Sequence, residues 1–276
     1  MNYSALKNFI LKQKSYLCVG LDTDEIKIPT HLQKNTNGII DFNKAIIEAT
    51  KDFCVAYKIN TAFYEAYGVK GWEIIEKTLD FIPSTHFKIA DAKRGDIGNT
   101  SDKYAQTFFH TFNFDAVTVA PYMGKDSIQP FLNYENKWVI LLALTSNEGN
   151  KDFQHLALEN GQKLFEKVLE TSQNWADENK MMYVIGATNP EELKIIRQKY
   201  PSHFFLVPGV GAQGGDLNEV SQAALNQNIG LLINASRSIL YASPQIDFAE
   251  KAKEEAQKMQ KEMEKWINII QKNKCK

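Results

Sequence analysis

Cysteine is scarce in this sequence, and its positions argue against two kinds of site. The three cysteines, Cys18, Cys54 and Cys275, form an odd number with no C-x-x-C pair and no spacing typical of metal ligands. This pattern argues against a disulfide framework and predicts a reducing, cytoplasmic location. Cys18 and Cys54 also lie within predicted apolar strands, which favours structural thiols over catalytic nucleophiles.

An excess of either charge is also absent. The 32 lysine and arginine residues balance 33 aspartate and glutamate residues, for a formal net charge of −1. No overall field would attract nucleic acid or an anionic membrane, so any affinity for phosphate must come from a local site. Apolar runs stay short of the roughly 20 residues that span a bilayer, and residues 1–14 lack the apolar core of a signal peptide. We expect a soluble protein whose partner is a small molecule.

Motifs for metals and nucleotide cofactors are missing as well. No G-x-G-x-x-G follows the first predicted strand, and no serine lies in a nucleophile elbow. The histidines are scattered without ligand spacing: His31, His86, His110, His155 and His203. We therefore predict no metal and no cofactor, which leaves proton chemistry carried by lysine and carboxylate side chains.

Apolar segments alternate with helical patterns along the whole chain. Eight predicted strands, each followed by a helix at the roughly 30-residue spacing of βα units, lie in segments 16–24, 53–60, 87–93, 115–124, 138–149, 181–188, 204–216 and 229–235. Predicted helices include 63–79, 102–112 and 156–175. Eight buried parallel strands close into a barrel of about 250 residues. We predict one α/β domain, a (β/α)8 TIM barrel over residues 1–276 with an extra N-terminal helix at 4–14; an open doubly wound sheet is the competing fold.

The stretch from Phe87 to Thr100, FKIADAKRGDIGNT, concentrates charge at the end of one predicted strand. Asp91 and Lys93 are two residues apart, so they share a strand face, and Asp96 follows a turn with what looks like a helix start. Such strand ends form the face on which eight-stranded barrels build active sites. A solvated surface ion pair is the alternative interpretation. Other predicted strands also end in polar or charged residues: Asp22, Lys58, Thr145, Gln213 and Arg237.

The loop PGVGAQGGD, residues 208–216, has the features of a phosphate site. Its glycines leave backbone N–H groups open just before a predicted helix N-terminus, where the helix dipole favours an anion. Gln213 lies in this loop, and Arg237 follows the next strand. The loops after strands seven and eight of such barrels commonly bind phosphate. A glycine-rich turn without a ligand is the alternative.

DAKRGDIGNT, residues 91–100, resembles the D-x-K-x-x-D-I-x-x-T signature of the orotidine 5′-phosphate decarboxylase family. The motifs GLD, YKIN, PGVGAQGGD and SR fit the same family over nearly the whole barrel, and VAPYMG and LTSNEG resemble its longer-loop branch. The resemblance implies decarboxylation of the nucleotide orotidine 5′-monophosphate to uridine 5′-monophosphate without a cofactor, in pyrimidine nucleotide synthesis.

The resemblance also implies roles in the charged half of the site. Lys93 would protonate C6 as carbon dioxide leaves. Asp91 would lie near the substrate carboxylate and would act either by repelling that group or by holding Lys93 in place. Lys58 and Asp22 would bind ribose hydroxyls, with Lys58 also fixing Asp91, and Asn60 would assist near the ribose.

The resemblance implies two further contacts with the nucleotide. Gln213 and Arg237 would hold the 5′-phosphate, although Ser236 stands where the family often has a glycine before the arginine. The hydroxyl at the pyrimidine edge would come from Thr145 or Ser146, with Thr145 preferred.

The resemblance finally implies a homodimer. Asp96, with Ile97 and Thr100, would reach into the active site of the neighbouring subunit, so that each site would be completed across the interface.

Two other functions compete with this interpretation. Related barrels decarboxylate a keto-sugar phosphate, or condense formaldehyde with a pentulose phosphate, using a magnesium ion and an acidic residue on strand two. Lys58 occupies that position in this chain and would repel the metal. A catalytically inactive barrel that binds nucleotide as a sensor would be expected to lack at least one of the candidate charged residues, and none is missing: Lys58, Asp91, Lys93 and Asp96.

Overall fold

A computed structural model describes residues 1–35, 37–187, 189–210 and 215–274 of the chain. Within these ranges, eight parallel strands close into a barrel in chain order. The barrel prediction is confirmed, because β1 pairs with both β2 and β8, which an open doubly wound sheet would not allow. The strands are β1 (Leu17–Gly20), β2 (Ala56–Asn60), β3 (Phe87–Arg94), β4 (Ala116–Val119), β5 (Trp138–Leu144), β6 (Met181–Ile185), β7 (Phe205–Pro208) and β8 (Leu231–Ala235).

Helices surround the barrel, and the predicted N-terminal helix precedes β1. This helix, α1, begins where the Asn2 side chain accepts a hydrogen bond from the Ala5 N–H at 2.9 Å. Among the described residues, no helix combines the length and the apolar character needed to cross a bilayer. The helices are α1 (Tyr3–Gln13), α2 (Thr30–Gln33), α3 (Gly38–Thr50), α4 (Ala62–Glu65), α5 (Val69–Phe81), α6 (Gly98–Ala105), α7 (Lys125–Leu132), α8 (Leu164–Ser172), α9 (Pro190–Lys199), α10 (Leu217–Ala224), α11 (Arg237–Leu240) and α12 (Phe248–Lys274).

The strands form a core that is buried on both faces. Every residue of β1, β4, β6 and β8 is buried, as expected for parallel strands covered by helices on the outside and packed side chains within. Large aromatic side chains such as Trp138, Tyr57 and Phe205 are fully buried. This packed interior fixes the strand ends that carry the polar residues.

Arg197 closes the N-terminal end of the barrel and forms no ion pair with an acidic residue in the part of the chain that the structure describes. Its guanidinium donates to the backbone carbonyls of Ala224, His203 and Gly230, each at 2.7 Å, and stacks 3.6 Å from the ring centroid of Phe205. Burial lowers its pKa to about 9. The contacts therefore satisfy loop carbonyls that would otherwise be buried without partners, at the end of the barrel away from the charged strand ends.

His203, at the same end, makes stability depend on pH. Its side chain is 5% exposed, and burial lowers the pKa of its imidazole to about 4. The unfolded chain, with a histidine pKa of about 6.5, therefore binds more protons in the window between these two values, and stability falls as the pH drops through it. We expect His203 to lower the free energy of unfolding by about 2 kcal/mol between pH 7 and pH 5, and His203→Phe to remove that contribution.

Urea denaturation at the two pH values measures this difference. The exposed His110 provides a control, because His110→Phe should retain the wild-type pH dependence. An unchanged pH dependence in His203→Phe would contradict the assignment.

Several elements differ from the sequence-based boundaries. The predicted helix 63–79 divides at Gly68, whose φ of +61° ends α4 and sets the start of α5. The predicted helix 156–175 begins only at Leu164, because the preceding residues form a loop closed by a bridge between Ala157 and Lys163. The helix predicted over 102–112 starts earlier, at Gly98, and continues as a π-helix over Gln106–Thr111.

The two described cysteines are buried, as the structural interpretation predicts. Cys18 lies in β1, but the placement of Cys54 within a strand is wrong, since β2 begins two residues later at Ala56. Burial raises the pKa of the Cys54 thiol to about 12, which keeps it protonated and unreactive at neutral pH. Cys275 lies outside the described residues.

Candidate active site

A row of alternating charges lies at the carboxyl ends of the first three strands. The Lys58 Nζ is 3.2 Å from the Asp22 Oδ1 and 3.0 Å from the Asp91 Oδ2. The Lys93 Nζ is 2.6 Å from the Asp91 Oδ1. The structure therefore brings together four residues that the sequence pattern singles out: Asp22, Lys58, Asp91 and Lys93.

Strand register explains why these four side chains lie close together. Gly20 pairs with Lys58 and Asn60 pairs with Asp91 in the parallel ladders of β1–β2 and β2–β3. Asp22 lies two residues beyond the end of β1, so a short loop carries its carboxylate over the barrel mouth. The Asn60 side chain stays near its own backbone, accepting from the Ala62 N–H at 3.3 Å.

Lys93 has an unusual backbone conformation. Its φ is +47°, in the left-handed region that side chains rarely adopt, and the β3–β4 register shifts between Ala90 and Arg94. The Thr118 hydroxyl accepts from the Lys93 backbone N–H at 2.9 Å and donates to the Asp91 Oδ1 at 3.0 Å. Thr118 therefore holds both members of the Asp91–Lys93 pair, in a role that the sequence pattern did not reveal.

The charges in the row stabilise one another. Burial alone disfavours ionised Asp91, but the ammonium groups of Lys58 and Lys93 outweigh it and hold the pKa of Asp91 well below its ordinary value. Burial would likewise lower the pKa of Lys58, yet Asp91 and Asp22 raise it above its ordinary value. Lys58 is 4% exposed, whereas the Lys93 side chain is 49% exposed and reaches the mouth. The row thus combines a buried, fixed cation with an accessible one.

A cavity of about 150 Å³ joins this row to the end of β8. Asp22, Lys58 and Asp91 line it together with Arg237. The remaining lining residues are Pro208, Gly209, Val210, Asn234 and Ser236. Arg237 therefore lines the same cavity as three of the four residues of the charged row.

Asn234 is a lining residue that the sequence pattern did not single out. Its side chain is 7% exposed, its Nδ2 donates to the Ser236 hydroxyl at 3.2 Å, and its Oδ1 has no hydrogen-bond partner among the described residues. Gly20 packs closely against Asn234 and Ser236, since a Cβ at Gly20 would lie 3.0 Å from the Asn234 Oδ1 and 1.9 Å from the Ser236 Oγ. The only sequence signal was a polar residue in an otherwise apolar strand.

The start of α10 differs from the predicted anion site. The Asp216 carboxylate accepts from the backbone N–H groups of Asn218 and Glu219 at 2.8 and 3.0 Å. The helix N-terminus therefore already carries a negative side chain, so it does not offer the open anion site that the pattern predicted. Gln213, the other predicted phosphate ligand, lies outside the described residues.

A second cavity, of about 250 Å³, opens beside the end of β5 and is lined by both Thr145 and Ser146. The Thr145 hydroxyl already donates to the Asn147 Oδ1 at 2.6 Å and accepts from the Gln154 Nε2 at 2.9 Å. The Gln154 Oε1 also accepts from the Thr145 backbone N–H at 2.8 Å. Gln154, which the sequence pattern did not single out, therefore fixes this strand end.

Three predicted residues do not join the row within the same chain. The Asp96 carboxylate accepts from the Ile97 N–H at 2.8 Å, and no ion pair links it to the row among the described residues. Ile97 is 57% exposed, and Thr100 is also exposed on the first turn of α6. Ile97 and Thr100 are therefore open to solvent in their own chain, and Asp96 is half-buried.

The donor groups of the site do not suit a metal ion. Across the described ranges, no cluster of three or more histidine, cysteine or acidic residues could hold one. Asp22 and Asp91, the two carboxylates of the row, are bridged by the Lys58 ammonium. A divalent cation would have to displace or approach this ammonium, which like-charge repulsion opposes.

Comparison with known proteins assigns the chain to a family. The model of the family described as orotidine 5′-phosphate decarboxylase / HUMPS matches residues 15–253. The chain belongs to this family. The orotidine 5′-phosphate decarboxylase of Phocaeicola vulgatus is 58% identical over 268 residues, 96% of this chain and 98% of the relative. That of Flavobacterium johnsoniae is 56% identical over 271 residues, 97% and 99% of the two chains.

A solved member of the orotidine 5′-phosphate decarboxylase family has the same architecture. The structure of OMP decarboxylase from Leishmania donovani matches with a TM-score of 0.80 and 36% identity, over 94% of this chain and 99% of that one. The prediction of an enzyme of the carboxy-lyase class is thereby confirmed.

Proposed function

We propose that the chain converts orotidine 5′-monophosphate to uridine 5′-monophosphate without a cofactor, in pyrimidine nucleotide synthesis, and that Lys93 protonates C6. The observation that carries this proposal is that Lys58 and Asp91 line the same cavity as Arg237, and that Asp91 also holds the ammonium group of Lys93 at 2.6 Å. Family membership and the similarity to the orotidine 5′-phosphate decarboxylase of Phocaeicola vulgatus support the reaction.

The proposed chemical step needs only an ammonium group. The bond between C6 and the carboxylate breaks, carbon dioxide leaves, and the electron pair on C6 takes a proton from the Lys93 Nζ. Charge develops on C6 as the bond breaks, so the nearby ammonium stabilises the transition state more than the ground state. The exposed end of Lys93 at the mouth suits this role, and Asp91 at 2.6 Å holds it in position.

The other side chains would bind the rest of the nucleotide. Arg237 would pair with the 5′-phosphate, together with Gln213, through charge-assisted hydrogen bonds. Asp22 and Lys58 would contact ribose hydroxyls with help from Asn60. At the pyrimidine edge the choice between the predicted residues is Thr145 or Ser146, the two hydroxyls that line the second cavity.

We also propose that the active form is a homodimer of single-domain barrels with shared sites. Asp96, Ile97 and Thr100 would enter the site of the neighbouring subunit. Support comes from the exposure of Thr100 and from the exposed apolar side chain of Ile97 beside the charged Asp96.

An absorbance assay tests the reaction directly. Protein treated with a chelator should remove the absorbance of orotidine 5′-monophosphate at the same rate as untreated protein. Turnover of a keto-sugar phosphate that requires magnesium, without turnover of the nucleotide, would contradict the proposal. Binding of uridine 5′-monophosphate without any turnover of the substrate would also contradict it, because it would indicate a nucleotide sensor.

A further inference from the structure

The loop that carries Asp22 is held rigidly at its start. The Leu21 N–H donates to the Lys58 carbonyl at 2.8 Å, and the Tyr64 hydroxyl donates to the Leu21 carbonyl at 2.7 Å. One residue after Asp22, the buried Thr23 hydroxyl donates to the Asn43 Oδ1 at 2.6 Å. These bonds fix the loop to β2 and α3, on one side of the barrel mouth.

Tyr241 holds the same loop at Asp22 and Asp24. Its hydroxyl accepts from the Asp24 backbone N–H at 2.9 Å and donates to the Asp22 carbonyl at 3.2 Å. Burial raises the pKa of this phenol to about 12, so the proton that it donates is retained at any working pH. Its ring stacks on Phe42, with the centroids 6.3 Å apart and the planes at 20°. The phenol therefore sits in a fixed position and spans the two ends of the Asp22–Asp24 segment.

The backbone connects Tyr241 directly to the proposed phosphate ligand. Tyr241 follows α11, which begins at Arg237, and the Tyr241 N–H donates to the Arg237 carbonyl at 3.1 Å. One helical turn therefore links Arg237, which lines the cavity, with the phenol that holds the loop of Asp22, another lining residue. Asp22 in turn bonds Lys58, and Lys58 bonds Asp91.

We propose that Tyr241 is a positioning residue that couples Arg237 to the Asp22–Lys58–Asp91 row, so that phosphate capture and the charged row act as one unit. This inference rests on the proposed function, since it assigns Tyr241 a role in the turnover of that nucleotide. Tyr241 itself touches no reacting atom in this role. It acts by fixing the backbone of Asp22 relative to the turn that carries Arg237.

Double-mutant cycles with Tyr241→Phe provide the test. This variant removes only the hydroxyl and leaves the ring on Phe42. It should lower kcat/KM for orotidine 5′-monophosphate by about tenfold, within the range of coupling measured between contacting residues. In an Asp22→Asn background and in an Arg237→Ala background, the same change should lower kcat/KM by less than about twofold. Each of these backgrounds has already lost the function of one of the two residues that Tyr241 is proposed to couple.

A merely structural role would give a different result. If Tyr241 only stabilised the fold, its hydroxyl would contribute the same factor in every background, and additive losses in either cycle would overturn the proposal. Tyr3 provides a matched control, because its hydroxyl donates to the Ser202 carbonyl at the same 3.2 Å at the other end of the barrel. Tyr3→Phe removes a bond that matches the one from the Tyr241 hydroxyl to the Asp22 carbonyl, and it should leave kcat/KM within about twofold of wild type.

Failure of the proposed function would be distinguishable from failure of this inference. A wild-type chain that does not convert orotidine 5′-monophosphate refutes the function. An active wild type with additive cycles refutes only the coupling through Tyr241.

Discussion

Lys93→Ala is expected to lower turnover of orotidine 5′-monophosphate by at least about 10⁴-fold while the barrel remains folded. The variant removes both the proton donor and the ammonium that faces the developing charge on C6. The fold should survive, because the Lys93 side chain is half exposed and Asp91 keeps its bonds to Lys58 and Thr118.

Steady-state assays with isothermal titration of uridine 5′-monophosphate separate chemistry from binding. Affinity for this product should change far less than turnover, since the product has no carboxylate leaving group next to Lys93. Lys194→Ala, which removes an exposed lysine on α9, should behave like wild type. Near-normal turnover in Lys93→Ala would exclude Lys93 as the acid.

Mixing two inactive variants is expected to restore activity. Lys93→Ala lacks the acid, and Asp96→Ala lacks the carboxylate that we propose enters the partner's site. In a mixed dimer, one site carries both defects and the other carries neither. After random exchange of equal amounts of the two variants, activity should recover to about one quarter of wild type, as expected for a symmetric dimer with two shared sites.

Native mass spectrometry can confirm that mixed dimers form. A mixture of Lys93→Ala with Asp91→Ala is the control, because both residues lie in the same row of one chain and no site in the mixed dimer is intact. Proven subunit exchange without recovery in the Lys93→Ala and Asp96→Ala mixture would refute the shared site.

The barrel was predictable because each strand is a continuous apolar segment followed by a helix. Buried parallel strands show this pattern, and eight of them at regular spacing leave few other closed arrangements. The positions of Asp22, Lys58 and Asp91 at strand ends followed from the same pattern. Boundaries were less predictable, because Gly68 divides one helix and the bridge between Ala157 and Lys163 delays another.

Parts of the site depend on tertiary contacts that periodicity does not encode. Thr118 lies in a short apolar strand, and only the shifted β3–β4 register brings its hydroxyl to Asp91 and Lys93. Asp216 was interpreted as part of a phosphate loop, yet its carboxylate caps α10. Tyr241 follows Asp22 by more than 200 residues, so their contact arises only from closure of the barrel between β8 and β1.

The left-handed backbone at Lys93 affects which substitutions at this position would stabilise the fold. A side chain in that conformation costs about 1 kcal/mol or more, a cost that glycine avoids and asparagine reduces. Selection for a higher free energy of unfolding alone would therefore favour replacing Lys93. Lys93 is therefore a position where the backbone conformation lowers stability, and laboratory screens for thermal tolerance that ignore activity are expected to replace this lysine early.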